Sequence, residues 1–181
     1  MHRTDTDLLA ELAGRGCSGR TEERFEDGFV QRRKRDGHFS IVEHASFTFS
    51  IIGISRACLA QLTRHRHASF SVESQRYSGA QSHAVVPPSM WRSSPAMVIV
   101  RRVMAETRAA YEQLVALGIP KEDARFLTVQ GTTTRLLMTM NARSLIEFFD
   151  KRMDEAAQWE IRDLATKIHA IVIKEAPEIF S

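Results

Sequence analysis

The fifteen residues from Arg64 to Ser78 hold three arginines, two histidines and four serines. A solvated charge run would not interleave Phe70 and Tyr77, nor carry so many hydroxyls. Arginine forks, serine O–H groups and neutral histidine donors are the groups that hold phosphate and pyrophosphate oxygens. The segment therefore points to a phosphate-bearing ligand. Ser74 beside Arg76 invites a nucleophile, but nucleophilic serine needs an oriented general base, and neither Gln75 nor Arg76 can take its proton; its role is binding. A second chemistry is open on paper: His65 and His67 form an HxH pair that His38, His44 and Glu43 could complete into a metal site of a hydrolase. Against it, Arg64 and Arg66 would repel a dication, and no HExxH or Asp-rich segment follows.

These residues must be held by elements that the pattern predicts. Thr21–Asp36 reads as a helix with Phe25 and Phe29 on one face and Gly37 as its stop. Phe47, Phe49 and Ile51 alternate with polar residues, the period of a half-buried strand ended by Gly53. Ser55 can cap a helix running to about Arg64, whose end would present Gln61 and His65, four apart, to one side. The signature then continues as an irregular loop. Ser94-Pro95 opens a long helix that closes at Gly118, with Pro120 beyond. Its apolar positions, Met97, Val100, Met104, Tyr111, Leu114 and Val115, read as core or subunit contact. A short helix follows from Lys121 to about Val129, then a strand over Thr134–Met140. Asn141 caps a helix in which Arg143 and Glu147, and Phe148 and Arg152, are spaced by four. A last helix, about Asp154 to Glu175, places Ala157, Ile161, Leu164, Ile168 and Val172 on one side. The expected fold class is α+β, a single domain over residues 1–181 with long helices and an antiparallel sheet.

Composition narrows the classes. A chain of 181 residues with 43% hydrophobic and 26% charged residues suits one globular domain with a real core. The longest apolar run, Ala96–Val100, is far short of the ~20 residues that span a bilayer, and the first seven residues lack the apolar stretch of a secretory signal. Cys17 and Cys58 share no CxxC spacing, which suggests a reducing cytoplasm. Net charge is +3 and the isoelectric point about 9.1, suited to anionic ligands. The run Gln31-Arg32-Arg33-Lys34-Arg35 reads as a solvated helix face; a nucleic-acid patch would want stacking aromatics beside it.

The order of the signature carries more. Arg64-His65-Arg66, seven residues, then Ser74 and Gln75-Arg76-Tyr77 resembles the signature of the flavin-dependent thymidylate synthases. Gly37-His38-Phe39-Ser40-Ile41-Val42-Glu43-His44 and Gly53-Ile54-Ser55-Arg56 precede it in the family's order. Lys121-Glu122-Asp123-Ala124-Arg125, Asn141-Ala142-Arg143-Ser144-Leu145 and Ala157-Gln158-Trp159-Glu160 follow it, so the resemblance covers roughly residues 8 to 180. It implies a twisted antiparallel sheet flanked by long helices, assembled as a cytoplasmic homotetramer whose active sites are shared between subunits. It also implies reductive methylation of deoxyuridylate (dUMP) to dTMP, with 5,10-methylenetetrahydrofolate as carbon donor and FAD reduced by NADPH. By resemblance His38, Ser40, Arg64, His65, Arg66, Asn141, Arg143 and Glu147 lie at FAD. Gln61, Arg64, Glu73, Ser74, Gln75, Arg76, Arg125 and Arg152 lie at dUMP. Arg152 is the catalytic position: a guanidinium beside the uracil favours ionisation at N3 and so activates the ring. No metal, membrane or nucleic acid is implied.

The chain departs from the family pattern at several points. Val72 stands where many relatives carry Gln or Glu, with Glu73 one residue on. Glu147 replaces a usual His or Asn, and its carboxylate would weaken pyrophosphate binding unless Arg143 pairs with it. Thr128-Val129 replaces Leu-Pro; the N-terminal strand of relatives is short or missing and the chain ends soon after Pro177, which implies trimmed edges. The two rivals, a His-based metal hydrolase and a basic nucleic-acid-binding protein, differ from a flavoprotein in colour.

Overall fold

A computed structural model describes residues 4–19, 26–79 and 83–181. Its sheet has three antiparallel strands in the order β1-β3-β2, where β1 is Ser46–Ser55, β2 is Ala68–Val72 and β3 is Thr133–Asn141. The central β3 alternates strictly: Thr134, Leu136, Met138 and Met140 are buried, while Arg135 and Leu137 face out. β1 runs two residues beyond Gly53 instead of stopping there. Gly53 has φ +82°, and burial passes from Ile51 to Ile54, three residues on, so the glycine resets the pleat rather than ending the strand. β2 is a strand where the pattern suggested a loop; Glu73 N–H continues it by donating to Arg135 O at 2.9 Å. The chain divides into two compact units, one of Met1–Phe49, Arg64–Ser69 and Met138–Ser181, the other of Ser50–Thr63 and Phe70–Leu137.

The first unit opens with α1 (Asp5–Cys17), for which the sequence pattern gave no expectation. A capping box starts it: Thr4 Oγ1 accepts the Asp7 N–H at 3.4 Å and Asp7 Oδ2 accepts the Thr4 N–H at 3.4 Å. Of the helix expected over Thr21–Asp36, the described residues hold α2 (Phe29–Arg35). Thr21–Phe25 lie outside the described residues. Glu26 to Gly28 form a turn because buried carboxylates take its N–H groups: Glu11 accepts from Glu26 at 2.9 Å and Glu178 from Gly28 at 3.1 Å. Gly37 stops α2 as expected. At φ +83° it lets its own N–H reach Lys34 O and the His38 N–H reach Arg33 O, the paired bonds of a Schellman end. A 3-10 turn, Phe39–His44, leads into β1. The basic run of α2 is largely engaged: Arg32 pairs with Glu26 at 2.7 Å, Arg33 lies over the Phe29 ring, and Lys34 donates to Ile179 O.

Three more helices close this unit: α7 (Ala142–Arg152), α8 (Trp159–Glu175) and α9 (Pro177–Phe180). α8 starts five residues later than expected, because Gln158 Oε1 caps it by accepting from Glu160 and Ile161 N–H. Its buried stripe is the expected one, Ile161, Leu164, Ile168 and Val172, with Ala165 added and Ala157 outside the helix. An aromatic chain joins the elements edge to face, Phe47 to Phe180 at 5.5 Å and Phe180 to Phe149 at 5.9 Å, and continues along α7 to Phe148 at 5.7 Å with the rings tilted.

In the second unit, α3 (Arg56–Leu62) is capped by Ser55 Oγ, which accepts the Cys58 N–H at 3.0 Å. It ends before Arg64, so His65 is not on it and shares no helix face with Gln61. α4 (Pro88–Trp91) precedes α5 (Ser94–Ala116), 23 residues long, whose N-cap is Ser93. α5 has no buried residue, and Val98 and Ile99 are 69% and 56% exposed. The expected Lys121–Val129 helix is a single turn, α6 (Lys121–Ala124), followed by a 3-10 turn over Arg125–Leu127. No described helix is long and apolar enough to cross a membrane.

Candidate active site

In the first unit the chain between Thr63 and β2 turns four consecutive polar side chains, Arg64 to His67, towards α7. Together with Ser144, Glu147, Lys151 and Arg152 of that helix they line an open recess of about 490 Å³. Ser144, Glu147 and Lys151 recur at intervals of three and four, one face of a helix. That spacing is the signal by which Ser144 and Lys151 could have been found from sequence; His67, beside the Arg-His-Arg triplet, also belongs to the recess. The lining holds four Lys or Arg side chains, two histidines and one carboxylate, a strongly cationic set.

Packing fixes His65. Its ring stands edge-on to Phe148 at 4.9 Å and 85°, and Phe148 is fully buried. His65 Nε2 accepts the Arg152 Nε–H at 2.9 Å. A ring that accepts at Nε2 carries its proton on Nδ1, so the imidazole is neutral and can still donate there. Burial holds its pKa below the ordinary histidine value, and the Arg152 and Lys151 charges lower it further, while Glu147 opposes them.

The remaining residues expected at FAD also belong to this unit. Asn141 is the N-cap of α7, its Oδ1 accepting the Ser144 N–H at 2.9 Å. Arg143 is ion-paired to Glu43 and lies 3.9 Å from Glu147 Oε1, so the extra carboxylate does have a cationic neighbour, though Glu43 is the nearer. His38 and Ser40 are exposed at the start of the 3-10 turn, apart from the residues that line the recess.

The residues expected at dUMP divide. Arg64 and Arg152 are in the first unit; Gln61, Glu73, Ser74, Gln75, Arg76 and Arg125 are in the second. There Ser74 heads a turn: its Oγ accepts the Arg76 N–H at 3.3 Å and its O accepts the Tyr77 N–H at 3.2 Å. Arg76 is paired with Glu122, whose carbonyl also accepts from Arg125 Nε at 3.0 Å. Glu73 is ion-paired to Arg135, with Nη2 3.4 Å from Oε1. Gln75 is 5% exposed and its Nε2 has no partner among the described residues, a donor suited to a ligand oxygen. Arg56, which the motif reading passed over, is drawn in electrostatically: burial lowers its pKa, Arg125 adds to the effect and Glu73 opposes it.

Chemically, the recess of the first unit offers arginine forks, a lysine, a serine hydroxyl and a neutral imidazole donor. That donor set fits the phosphates of a dinucleotide such as FAD. It does not suit a dication, because His65 Nε2 is committed to a guanidinium and cations flank it on the chain.

The comparisons agree with this chemistry. The family model described as thymidylate synthase complementing protein matches residues 1–178. The chain is 42% identical to the flavin-dependent thymidylate synthase of Geobacter sulfurreducens, over 99% of this chain and 83% of that protein. It is 37% identical to that of Nitratidesulfovibrio vulgaris, over 96% and 75%. It is 39% identical to that of the archaeon Halobacterium salinarum, over 88% and 75%.

Proposed function

Because the chain belongs to the thymidylate synthase complementing protein family, we propose that it is a flavin-dependent thymidylate synthase. It converts dUMP to dTMP, with 5,10-methylenetetrahydrofolate as the carbon donor. The observation that carries this reading is the cationic recess built by Arg64–His67 and one face of α7. When bound, FAD reduced by NADPH supplies the reducing equivalents. Arg64, Arg66, Asn141 and Arg143 are assigned to holding it, with His38 and Ser40 carried over from the resemblance alone.

Arg152 is the activating residue. Its fixed guanidinium favours the N3-ionised uracil, which raises electron density at the C5=C6 bond. Ser74, Gln75 and Arg76 hold the nucleotide, with Gln61 and Arg125 beside them. Three features support this: the turn headed by Ser74, the buried donor of Gln75, and the cations clustered around Glu73 and Glu122.

Residues 1–181 are read as one synthase domain with a twisted sheet flanked by its longer helices, active as a cytoplasmic homotetramer. Support for assembly comes from α5, which exposes Val98, Ile99 and Val103 and only half-buries its opposite stripe of Met97, Val100, Met104 and Tyr111. A nucleic-acid role finds little support, since the α2 cations are engaged by Glu26, Phe29 and Ile179.

Protein incubated with FAD and desalted should keep the absorbance of oxidised flavin and bleach on addition of NADPH. A folded sample that retains no flavin at micromolar concentration contradicts the assignment.

A further inference from the structure

Arg152 is the last residue of α7, a position where helices fray and where a long side chain has many rotamers. A guanidinium that polarises a substrate must be held in one plane, since misplacement by about 1 Å costs on the order of 100-fold in rate. The structure shows what holds it. Phe148 and Arg152 are four apart on α7, so one helix face presents both the ring against which His65 stands and the guanidinium that His65 binds. The imidazole is thereby clamped between a fully buried phenyl ring and the Arg152 Nε–H.

We propose that His65 is the positioning residue for Arg152: its unprotonated Nε2 holds the Nε–H and sets the plane of the guanidinium for the reaction. The proposal rests on the activating role assigned to Arg152. It gives His65 a task separate from any contact with the flavin, namely a hydrogen bond that only the neutral ring can accept. Protonation at Nε2 would turn the acceptor into a donor and set an imidazolium against a guanidinium. Of the other charged groups, Lys151 also resists that protonation and Glu147 favours it, while Arg64, Arg66 and His67 line the same recess. The enzyme should therefore keep Arg152 in place at neutral pH and release it on the acid side.

Two variants and one spectroscopic titration test this. At saturating FAD and dUMP, His65→Leu should lower kcat by roughly 10- to 100-fold, with KM for dUMP changed far less. His65→Gln keeps an acceptor that does not titrate. It should recover at least about tenfold of that loss, and the acid limb of its pH–kcat profile should flatten. In flavin-free protein, NMR titration of labelled histidines, with His65 assigned from the Gln variant, should show the His65 pKa rising in Arg152→Ala. A Leu variant at wild-type kcat, a Gln variant as slow as Leu, a Gln variant with the wild-type acid limb, or a His65 pKa indifferent to Arg152→Ala each overturns the proposal. If His65→Leu does not fold, the Gln profile and the titration still decide. Wild-type and Arg152→Ala protein in the same assay separate this failure from that of the function: an inactive wild type sinks the synthase reading, whereas an active wild type with a dead Arg152→Ala leaves it standing.

Discussion

Replacing Asn141 separates two jobs that its amide is positioned to do. Its Oδ1 accepts the Ser144 N–H at 2.9 Å and caps α7, the helix that carries Arg143, Glu147 and Arg152. The other half of the amide, Nδ2–H₂, is the part that can donate to a flavin phosphate or ring acceptor. Asn141→Ala removes both. Loss of the cap costs about 1 kcal/mol, which in a protein of this size lowers the melting temperature by about 2–4 °C. Loss of a hydrogen bond to a charged group costs about 1.5–3 kcal/mol, roughly 10- to 150-fold in affinity for FAD. Asn141→Asp keeps the acceptor and places a negative charge at a helix N-terminus, where it is favourable. It should melt close to the wild type. Yet it loses the donor and sets an anion beside the cationic recess, so its FAD affinity should fall below that of the Ala variant. Thermal melts of the flavin-free protein read the cap, and quenching of FAD fluorescence reads the contact. An Asp variant that melts as low as Ala refutes the capping argument. An Ala variant that binds FAD as the wild type does refutes the flavin contact.

Glu147 is the one carboxylate of the recess, shared at 3.9 Å with Arg143. Glu147→Gln should tighten FAD binding by about two- to fivefold, the scale of an exposed charge pair, and the gain should shrink at high salt; weaker binding would show that the carboxylate orders the site instead. Ser74→Ala should weaken dUMP binding while turnover persists at saturation, because Ser74 organises a turn; a variant dead at saturating dUMP would return Ser74 to the chemistry. Burial raises the Asp7 carboxyl above its ordinary value against the lowering effect of its Thr4 hydrogen bonds, and neighbouring Glu178 adds to the rise. A carboxyl raised in the folded state contributes stability at a pH below its unfolded value near ~4, and that contribution is lost as pH rises through the folded value. Asp7→Asn, which retains an acceptor for Thr4, should therefore melt higher than the wild type at pH 7.5, with the gap closing towards pH 4. An equal or lower melt at pH 7.5 contradicts this.

The parts of the fold legible in the sequence were those with a period and a cap. β3 and α5 stood within one or two residues of their expected bounds, and α7 began at its expected cap, because Ser94-Pro95, Gly118, Asn141 and the alternation of β3 mark them locally. Three elements were misjudged for physical reasons. Glu26–Gly28 were expected in α2 but form a turn, because Glu11 and Glu178, distant in sequence, capture its N–H groups. α3 stopped at Leu62, where Thr63 Oγ1 bonds back to Leu59 O at 3.1 Å, and this moved His65 off the helix. β2 was hidden because its serines suggested ligand chemistry, although Ser69 and Ser71 are simply its outward residues. α1 could have been seen in Thr4-x-x-Asp7, the capping-box spacing. For the site, the signature supplied the residue types and α7 the spacing, so the cationic recess was foreseeable. The pairing of His65 with Arg152 was not. It joins residues 87 apart, and nothing local in either segment announces it.

The most direct test of the central claim is dTMP formation itself. Purified protein given FAD, NADPH, 5,10-methylenetetrahydrofolate and dUMP should yield dTMP, followed by chromatography of the nucleotide pool. Arg152→Ala, with FAD still bound, should yield none above background. A wild-type sample that is folded and flavin-loaded yet makes no dTMP would contradict the account, as would an Arg152→Ala variant that makes it at the wild-type rate.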